Sequence, residues 1–568
     1  MSLLPGESLH YAESHFKFKL PWSLLYKPWP EILVDAPFQF VPGVTPTLWI
    51  VIRDAHRFPV RIEKIHFQIY KDSNEKILEK DASLDILAQE QFGFYPIEIG
   101  MLPPGKFDIH CQITVSKEDG FSEKENVSRN DDISRNVQRR TFSRWNLPGL
   151  KPKPLKIQIL EEDLPKAPGF VAGETHCHTH YSADHVEHGA TPAVFQQAAN
   201  AVGLDFVSCT DHAYDFAFLT EDYTKEAESP YPRFNALRQD VARCNELRDN
   251  VGGNGSARAL PLMIAGEEVS AGNSKKENVH LTVMGPRDYL PGLGDCGRNW
   301  LDNKPTFSLA KITDMTEAHC FAAHPHQQMG LLEKFVFRRG YWSSEDLQSK
   351  SRHPVRGIQF WNGIRDEGFK LGREWWIQEL GKENFVLPIG GNDAHGDLND
   401  TTAVNLPLIS LKHSREHVFG NVRTVVKLNA DDYRKLQDGS AGLTLEMLNR
   451  AFNGDNCYIT DGPALWWERN DEATENAEVN ETSQAVTFHA RSNNDLGGGF
   501  RYIRIYGRRR LNNGKLAPRE ELHLASQVAA RPATDIKIYF DDYAYLRAEC
   551  ETATGKFALT STAVKRFK

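Results

Sequence analysis

The spacing of apolar and polar residues changes character twice along the chain. Over residues 1–140 the apolar positions fall in short runs rich in β-branched and aromatic side chains. Examples are TPTLWIVIRD (45–54), RIEKIHFQIYKD (61–72), FGFYPIEIG (92–100) and KFDIHCQITV (106–115). In the second run Ile62, Ile65 and Phe67 mix with polar neighbours, as in a strand with one buried face. Short strands without long helices predict a β-sandwich-like domain over 1–165. Its end is the Pro-punctuated NLPGLKPKPLKIQILEEDLPKAPG (146–169), which reads as a linker. From about 170 to 400 strand-like runs alternate with helical patterns: GETHCHTH, LDFVSCTDH, LPLMIAGEEVS, VHLTVMG, CFAAHP, RGIQFWNG and NFVLPIGGNDAH. The first helix is signalled by Thr191 as cap, Pro192 at the first helical position and an apolar stripe of Val194, Ala198, Ala201 and Val202. Repeated β–α units predict an α/β domain with a parallel sheet, open or closed into a barrel, over 166–453. From 454 to 568 the runs are β again (AVTFHARS, RYIRIYGRRR, DIKIYFD, AYLRAECETA), and a second β-rich, sandwich-like domain is expected.

Composition narrows the class without changing this layout. The chain has 568 residues, 40% hydrophobic and 25% charged, which excludes a disordered or fibrous protein. Lys+Arg 67 against Asp+Glu 76 leaves a net charge of −9, which argues against a nucleic-acid binder with a broad basic face. No apolar run approaches the roughly 20 residues that cross a bilayer. The start, MSLLPGESLHYAES, has neither a basic n-region nor an apolar h-region, so a cytoplasmic protein is expected. The eight cysteines are scattered without a CxxC pair, and reduced, mostly buried thiols are the expectation.

Candidate chemistry concentrates in the α/β stretch. His176 and His178 stand two apart on a strand, so both side chains face one way and can share a metal. Cys177 between them faces the other way. Asp393 and His395 repeat that spacing after the last strand. His212 closes LDFVSCTDH, Glu268 closes LPLMIAGEEVS and His324 closes CFAAHPHQ. Each candidate ligand sits at the C-terminal end of an apolar strand, the end at which βα enzymes place their sites. A single His at a strand end is more often an ordinary hydrogen-bonded residue, but the ordered set points to one metal cluster. Two further residues are candidates for the chemistry around it. His326, two beyond His324, is a candidate proton donor to a leaving group, and Arg365, just after QFWNG, a candidate anion holder. Lys275 and Lys276 are alternatives for the latter role, and Trp361 is a candidate pocket wall.

Six of these motifs occur in order: THCHTHYSAD, GLDFVSCTDH, GEEVS, AAHPHQ, QFWNG and GGNDAH. In that order they resemble the polymerase-and-histidinol-phosphatase (PHP) superfamily over about residues 170–430. FNGDNCYITDGPALWWE is more loosely similar to a subgroup that includes carbaryl hydrolases. The resemblance implies a distorted seven-stranded parallel (β/α)7 barrel, flanked here by the N-terminal and C-terminal β-sandwich-like domains, with two or three divalent ions. It implies His176, His178, His212, His324, Asp393 and His395 as ligands, with Glu268 bridging two metals. His280 in ENVHLTVMG resembles a further ligand shortly after the bridging Glu. Asp184 is the best match to the first-loop carboxylate, although the loop is one residue longer than the family pattern and lacks its Gly; His180 and His185 are alternatives.

Imidazoles and carboxylates without thiolate suit Zn²⁺, Mn²⁺ or Fe²⁺. A carboxylate held between two such ions sets them roughly 3.5–4 Å apart and makes a shared hydroxide accessible at neutral pH. No GxSxG elbow or P-loop is present. The expected activity is therefore hydrolysis of a small or medium phosphate ester. Alternatives are a carbamate, carboxylic ester or amide hydrolase with the same centre, or a non-catalytic, metal-stabilised binding protein. A small-molecule ester is the expected partner, with neither nucleic acid nor membrane.

Overall fold

The computed structural model describes residues 29–53, 55–56, 58–118, 137–146, 151–182, 189–217, 231–251, 259–295, 303–330, 334–348, 351–396, 398–405, 410–471, 484–526, 531–540 and 542–565. In the N-terminal region a three-stranded sheet (Glu31–Asp35, Thr47–Arg53, Phe92–Glu98) faces a six-stranded one built on Val60–Lys71 and Gly105–Glu118. Ile50 and Ile52 from the first sheet and Ile65, Phe67 and Ile113 from the second share one core. The stretch read as a linker contributes a strand, Leu155–Ile159, paired antiparallel with Gly105–Glu118. Its alternation is regular, with Leu155, Ile157 and Ile159 buried and Lys156 exposed, but flanking Pro and Lys residues mask it. Glu75–Ala88 is a further strand, largely exposed at the sheet edge, and its polar sequence gives it no strand signature.

The strands that carry the candidate ligands are β1 (Phe170–Cys177), β2 (Phe206–His212), β3 (Leu262–Gly272), β4 (Asn278–Met284), β5 (His319–Ala323), β6 (Gly357–Asn362) and β7 (Leu387–Gly391). The order β7-β6-β5-β4-β3-β2-β1 is one half of a 14-stranded sheet. It continues from β1 through β8 (Arg423–Lys427), β9 (Cys457–Thr460) and the strands Phe557–Thr560, Tyr543–Thr552, Phe500–Arg509 and Glu521–Ser526. The parallel (β/α)7 barrel expected from the resemblance is not what forms. Among the described residues strand outweighs helix, 44% to 18%, and the sheet is mixed. β4 runs antiparallel to both β3 and β5, and β8 runs antiparallel to β1. The reason is chain length between strands. Only Asn273–Glu277 separates β3 from β4, enough for a hairpin and far too little for a parallel crossover. Among the described residues full helices span three connections: Pro192–Val202 between β1 and β2, Pro232–Val251 between β2 and β3, and Glu367–Leu380 between β6 and β7. The first is built as its sequence demands, with the Thr191 hydroxyl accepting from Val194 N–H and Gly203 closing at φ 82°.

The sheet curls until the segment just past β7 returns to β1. Asp393 N–H donates to His176 O and His178 N–H to Ala394 O, each at 2.8 Å. Two glycines permit this approach. A Cβ on Gly391 would lie 2.8 Å from the Cβ of His176, and one on Gly390 would lie 2.7 Å from Val422. Beyond 460 a second sheet (Ala464–Asp471, Gln484–Arg491, Ala533–Tyr539) packs Leu465, Trp467, Val486 and Phe488 against Ile503, Ile505 and Leu546 of the long one. The seven described cysteines are free and buried, and Cys296 lies outside the described residues. No described helix is long and apolar enough to cross a membrane.

Candidate metal centre

Strand alternation and strand ends deliver the side chains to one rim. His176 and His178 leave β1 on the same side, while the Cys177 thiol turns away to Ser208 O. His212 ends β2, Glu268 lies on β3, His280 on β4, His324 follows β5, and Asp393 and His395 follow β7. His324 (φ 29°) and Asp393 (φ 53°) both hold the left-handed backbone that β-carbon-bearing residues rarely adopt. Such strain persists where the surrounding structure enforces it, typically at functional positions.

All eight side chains gather around Glu268. Its Oε1 lies 2.8 Å from His280 Nδ1, 2.9 Å from His324 Nε2 and 3.4 Å from His176 Nε2. Its Oε2 lies 2.9 Å from His212 Nδ1 and 3.5 Å from His178 Nε2. Asp393 Oδ1 approaches His178 Nε2 at 2.9 Å and His176 Nε2 at 3.3 Å. His395 stacks on His178 with ring centres 4.2 Å apart. Three groups of donor atoms result: His176, His178, Glu268 and Asp393; Glu268, His280 and His324; and His178, His212 and His395. Glu268 and His178 each belong to two groups, so ions held there would be neighbours.

The donor set fits divalent cations. Nε2 of His176 and of His178 face each other at 3.1 Å, and His212 Nδ1 is buried without a hydrogen bond of acceptable geometry. Nitrogen and oxygen donors without thiolate suit borderline ions such as Zn²⁺, Mn²⁺ or Fe²⁺. The outer ring nitrogens are engaged so that the inner ones face the cluster. His176 Nδ1–H donates to Gln359 Oε1 at 2.8 Å, and His395 Nδ1–H to Asp393 O at 3.1 Å. Ser182 Oγ donates to Asp211 Oδ1 at 2.8 Å, which leaves its lone pairs for His178 Nδ1–H at 3.2 Å. His280 Nε2 meets the buried Asp295 carboxylate at 2.9 Å.

Electrostatics run the same way. Burial disfavours charge on His176, but Asp393 and Glu268 outweigh it and lift the imidazole to about 9. His280, between Glu268 and Asp295, rises to about 10 against the same desolvation. Burial lowers His178, with His395 and His212 adding to the effect, and it lowers His324. Glu268 and Asp393 stay well below the usual carboxylate range although both are buried, because imidazoles surround them. The buried carboxylates are thus held ionised by positive charge on the imidazoles around them.

Of the sequence candidates, His176, His178, His212, Glu268, His280, His324, Asp393 and His395 come together. Asp184 lies outside the described residues, as does His185. His180 is half-buried apart from the three groups, against Phe92 and Tyr181, and desolvation lowers it to about 4. His326 packs between Tyr341 and Trp375, with ring centres at 5.7 and 5.2 Å. Arg365 is committed elsewhere, donating to Glu551 Oε2 and Gly555 O. Lys275 and Lys276 are exposed in the β3–β4 turn, and Trp361 is core beside Phe557. Sequence reading passed over Gln359, Asn362, Ser182, Asp211, Glu174 and Asp295. All but Asp295 lie inside the strand runs and motifs already named, although no local feature marks them as supports: Asn362 Nδ2–H, from QFWNG, donates to Asp393 Oδ2 at 3.1 Å. Glu174, between Gly173 and His176, accepts the N–H groups of His176, Asn392 and Gly420, clasping β1 to the segments that follow β7.

No family model matches this chain, and no curated protein does. Among solved structures it is similar to a β-D-mannosidase from Dictyoglomus thermophilum, 8% identical over 94% of this chain and 67% of that one, with TM-score 0.21. A β-glucuronidase from Parabacteroides merdae is 8% identical over 94% of this chain and 77% of that one, with TM-score 0.17. At such scores neither likeness bears on the fold or the chemistry.

Proposed function

We propose that the chain is a metal-dependent hydrolase with the ligand set of the PHP superfamily, acting on a small or medium phosphate ester. The observation that carries this reading is the convergence of six imidazoles and Asp393 around the Glu268 carboxylate. A purely structural ion is satisfied by about four closed ligands, and eight donors sharing Glu268 and His178 exceed that need. When bound, two or three divalent ions would supply Lewis acidity and an activated water. The chain's own residues do the rest: Gln359, Ser182 and Asp295 orient the imidazoles, and Asn362 orients Asp393. A carbamate or carboxylic ester hydrolase with the same centre is the second reading, favoured by the apolar Met329 and Trp342 in the adjoining pocket.

Elemental analysis of the purified protein should find at least two transition-metal equivalents, and the loaded protein should hydrolyse 4-nitrophenyl phosphate. Replacing a ligand, as in His178→Ala or Asp393→Ala, should cost more than the roughly 10–100-fold typical of residues behind the ligands. Unchanged turnover in either soluble variant removes that residue from the centre, and metal-free protein with an intact fold removes the centre itself.

A further inference from the structure

A cavity of about 370 Å³ lies between the N-terminal sheets and the two helices that join β1 to β2 and β2 to β3. None of the eight donors of the metal centre lines it. Phe40, Val44 and Trp49 make one wall, and helices Pro192–Val202 and Pro232–Val251 make the other, where Leu247 is 51% exposed. The volume falls within the roughly 300–1,000 Å³ of small-molecule sites, which collect at seams between domains.

The walls are fixed before any ligand arrives. Val41 N–H donates to Ala201 O at 2.8 Å, which ties the N-terminal region to the first helix. Gln196 Nε2–H groups donate to Cys244 O and Pro261 O, each at 3.0 Å, which ties the first helix to the second and to the start of β3. A preformed cavity costs its ligand little ordering of the protein.

Its polar groups sit together on the helical wall. Gln197 and Asn200 are one helical turn apart and share a face. Asn200 Oδ1 has no hydrogen-bond partner among the described residues, so nothing commits that amide to one orientation. Arg243 is the single charged residue among the described lining. Its side chain is 69% exposed, and Nη2–H donates to Asp240 Oδ1 one turn away. The guanidinium has five N–H donors, and an exposed pair of this kind is weak, so a further acceptor is readily taken. One cation beside apolar walls matches a monoanion with an apolar body. A phosphate dianion would strand charge against those walls, whereas a carboxylate meets a guanidinium in a flat, two-bonded pair.

We propose that this cavity is a second ligand site, separate from the metal centre, for an aromatic monocarboxylate. The rings lie against Phe40, Trp49 and Leu247, and Arg243 and the Asn200 amide hold the carboxylate. The site goes beyond the hydrolase reading and does not depend on it.

The probe is 2-naphthoate, titrated calorimetrically into the full chain, with 2-naphthamide as its uncharged counterpart. One equivalent of 2-naphthoate should bind. Ala193 is exposed on the helical wall, and Ala193→Trp should fill the cavity and weaken binding at least a hundredfold. Arg243→Gln should weaken it by about three- to tenfold, the worth of a half-exposed charged hydrogen bond, and leave 2-naphthamide binding unchanged. His178→Ala, which disrupts the metal centre, should leave 2-naphthoate binding unchanged. Absence of binding to the wild type, or wild-type affinity in either cavity variant, overturns the site. So does binding lost in His178→Ala but kept in Ala193→Trp, because the carboxylate then sits on the metals. Thermal melts establish that each variant is folded, and Arg243→Gln decides alone if Ala193→Trp is not.

Discussion

At the scale of single residues, Glu268 sets the problem that its neighbours solve. A carboxylate 1% exposed needs compensating positive charge, and five imidazoles approach it within 3.5 Å. A ligand imidazole must also keep one nitrogen free of protons, which its outer partner enforces. Gln359 performs this for His176 from 183 residues away. Gln359→Leu should therefore weaken metal affinity by roughly 10–100-fold while the protein stays folded, measured by competition with a chelator. Most of the candidate ligands were legible because strand alternation and strand ends are local features. Gln359, Ser182 and Asp295 were not, because nothing local distinguishes them from ordinary polar residues.

At the scale of elements, two close approaches hold the rim together. β7 can pass behind His176 only because Gly391 lacks a side chain. Gly391→Ala should displace His176 and Gln359, reducing both metal content and thermal stability, read by elemental analysis and calorimetry. The loop after His395 is gripped by the N-terminal sheets. Asp35 Oδ2 accepts from Leu398 N–H at 3.0 Å, and Arg144 donates to Asp400 Oδ2 at 2.8 Å. Burial lifts the Asp35 carboxyl to about 6, outweighing Arg144 and the N–H groups of Leu398 and Ala36. A carboxyl raised in the folded state favours folding below its unfolded value, and that contribution fades as pH rises through about 6. Wild type should thus lose up to about 3 kcal/mol relative to Asp35→Asn between about pH 4 and 7, measured by denaturant unfolding. The strand pattern across 170–400 was readable, but strand direction was misjudged at β4. The five residues Asn273–Glu277 between β3 and β4 already dictate a hairpin.

At the scale of the whole molecule, the site sheet does not end where the ligands end. β8 has β9 as a partner, and Ile459 and Leu559 share a core with Ile358 and Trp361. A chain ending at residue 453 would expose that edge and core, so it should fail to give a cooperative melt, checked by thermal circular dichroism on any soluble fraction. Stripping divalent ions from the full chain should lower its Tm, and restoring them should recover it. The binding linkage is worth about 2.7 kcal/mol when free metal exceeds Kd a hundredfold. An unchanged melting curve would mean that the eight donors hold no stabilising ion.

Local periodicity singled out most of the candidate ligands, the first helix with its caps and the β-rich ends of the chain, because each is written within about ten consecutive residues. The mixed sheet and the curl that brings Asp393 to His176 were settled only in three dimensions. So was the amide behind His176. These depend on register and packing between segments far apart in sequence, where no short-range pattern carries the information.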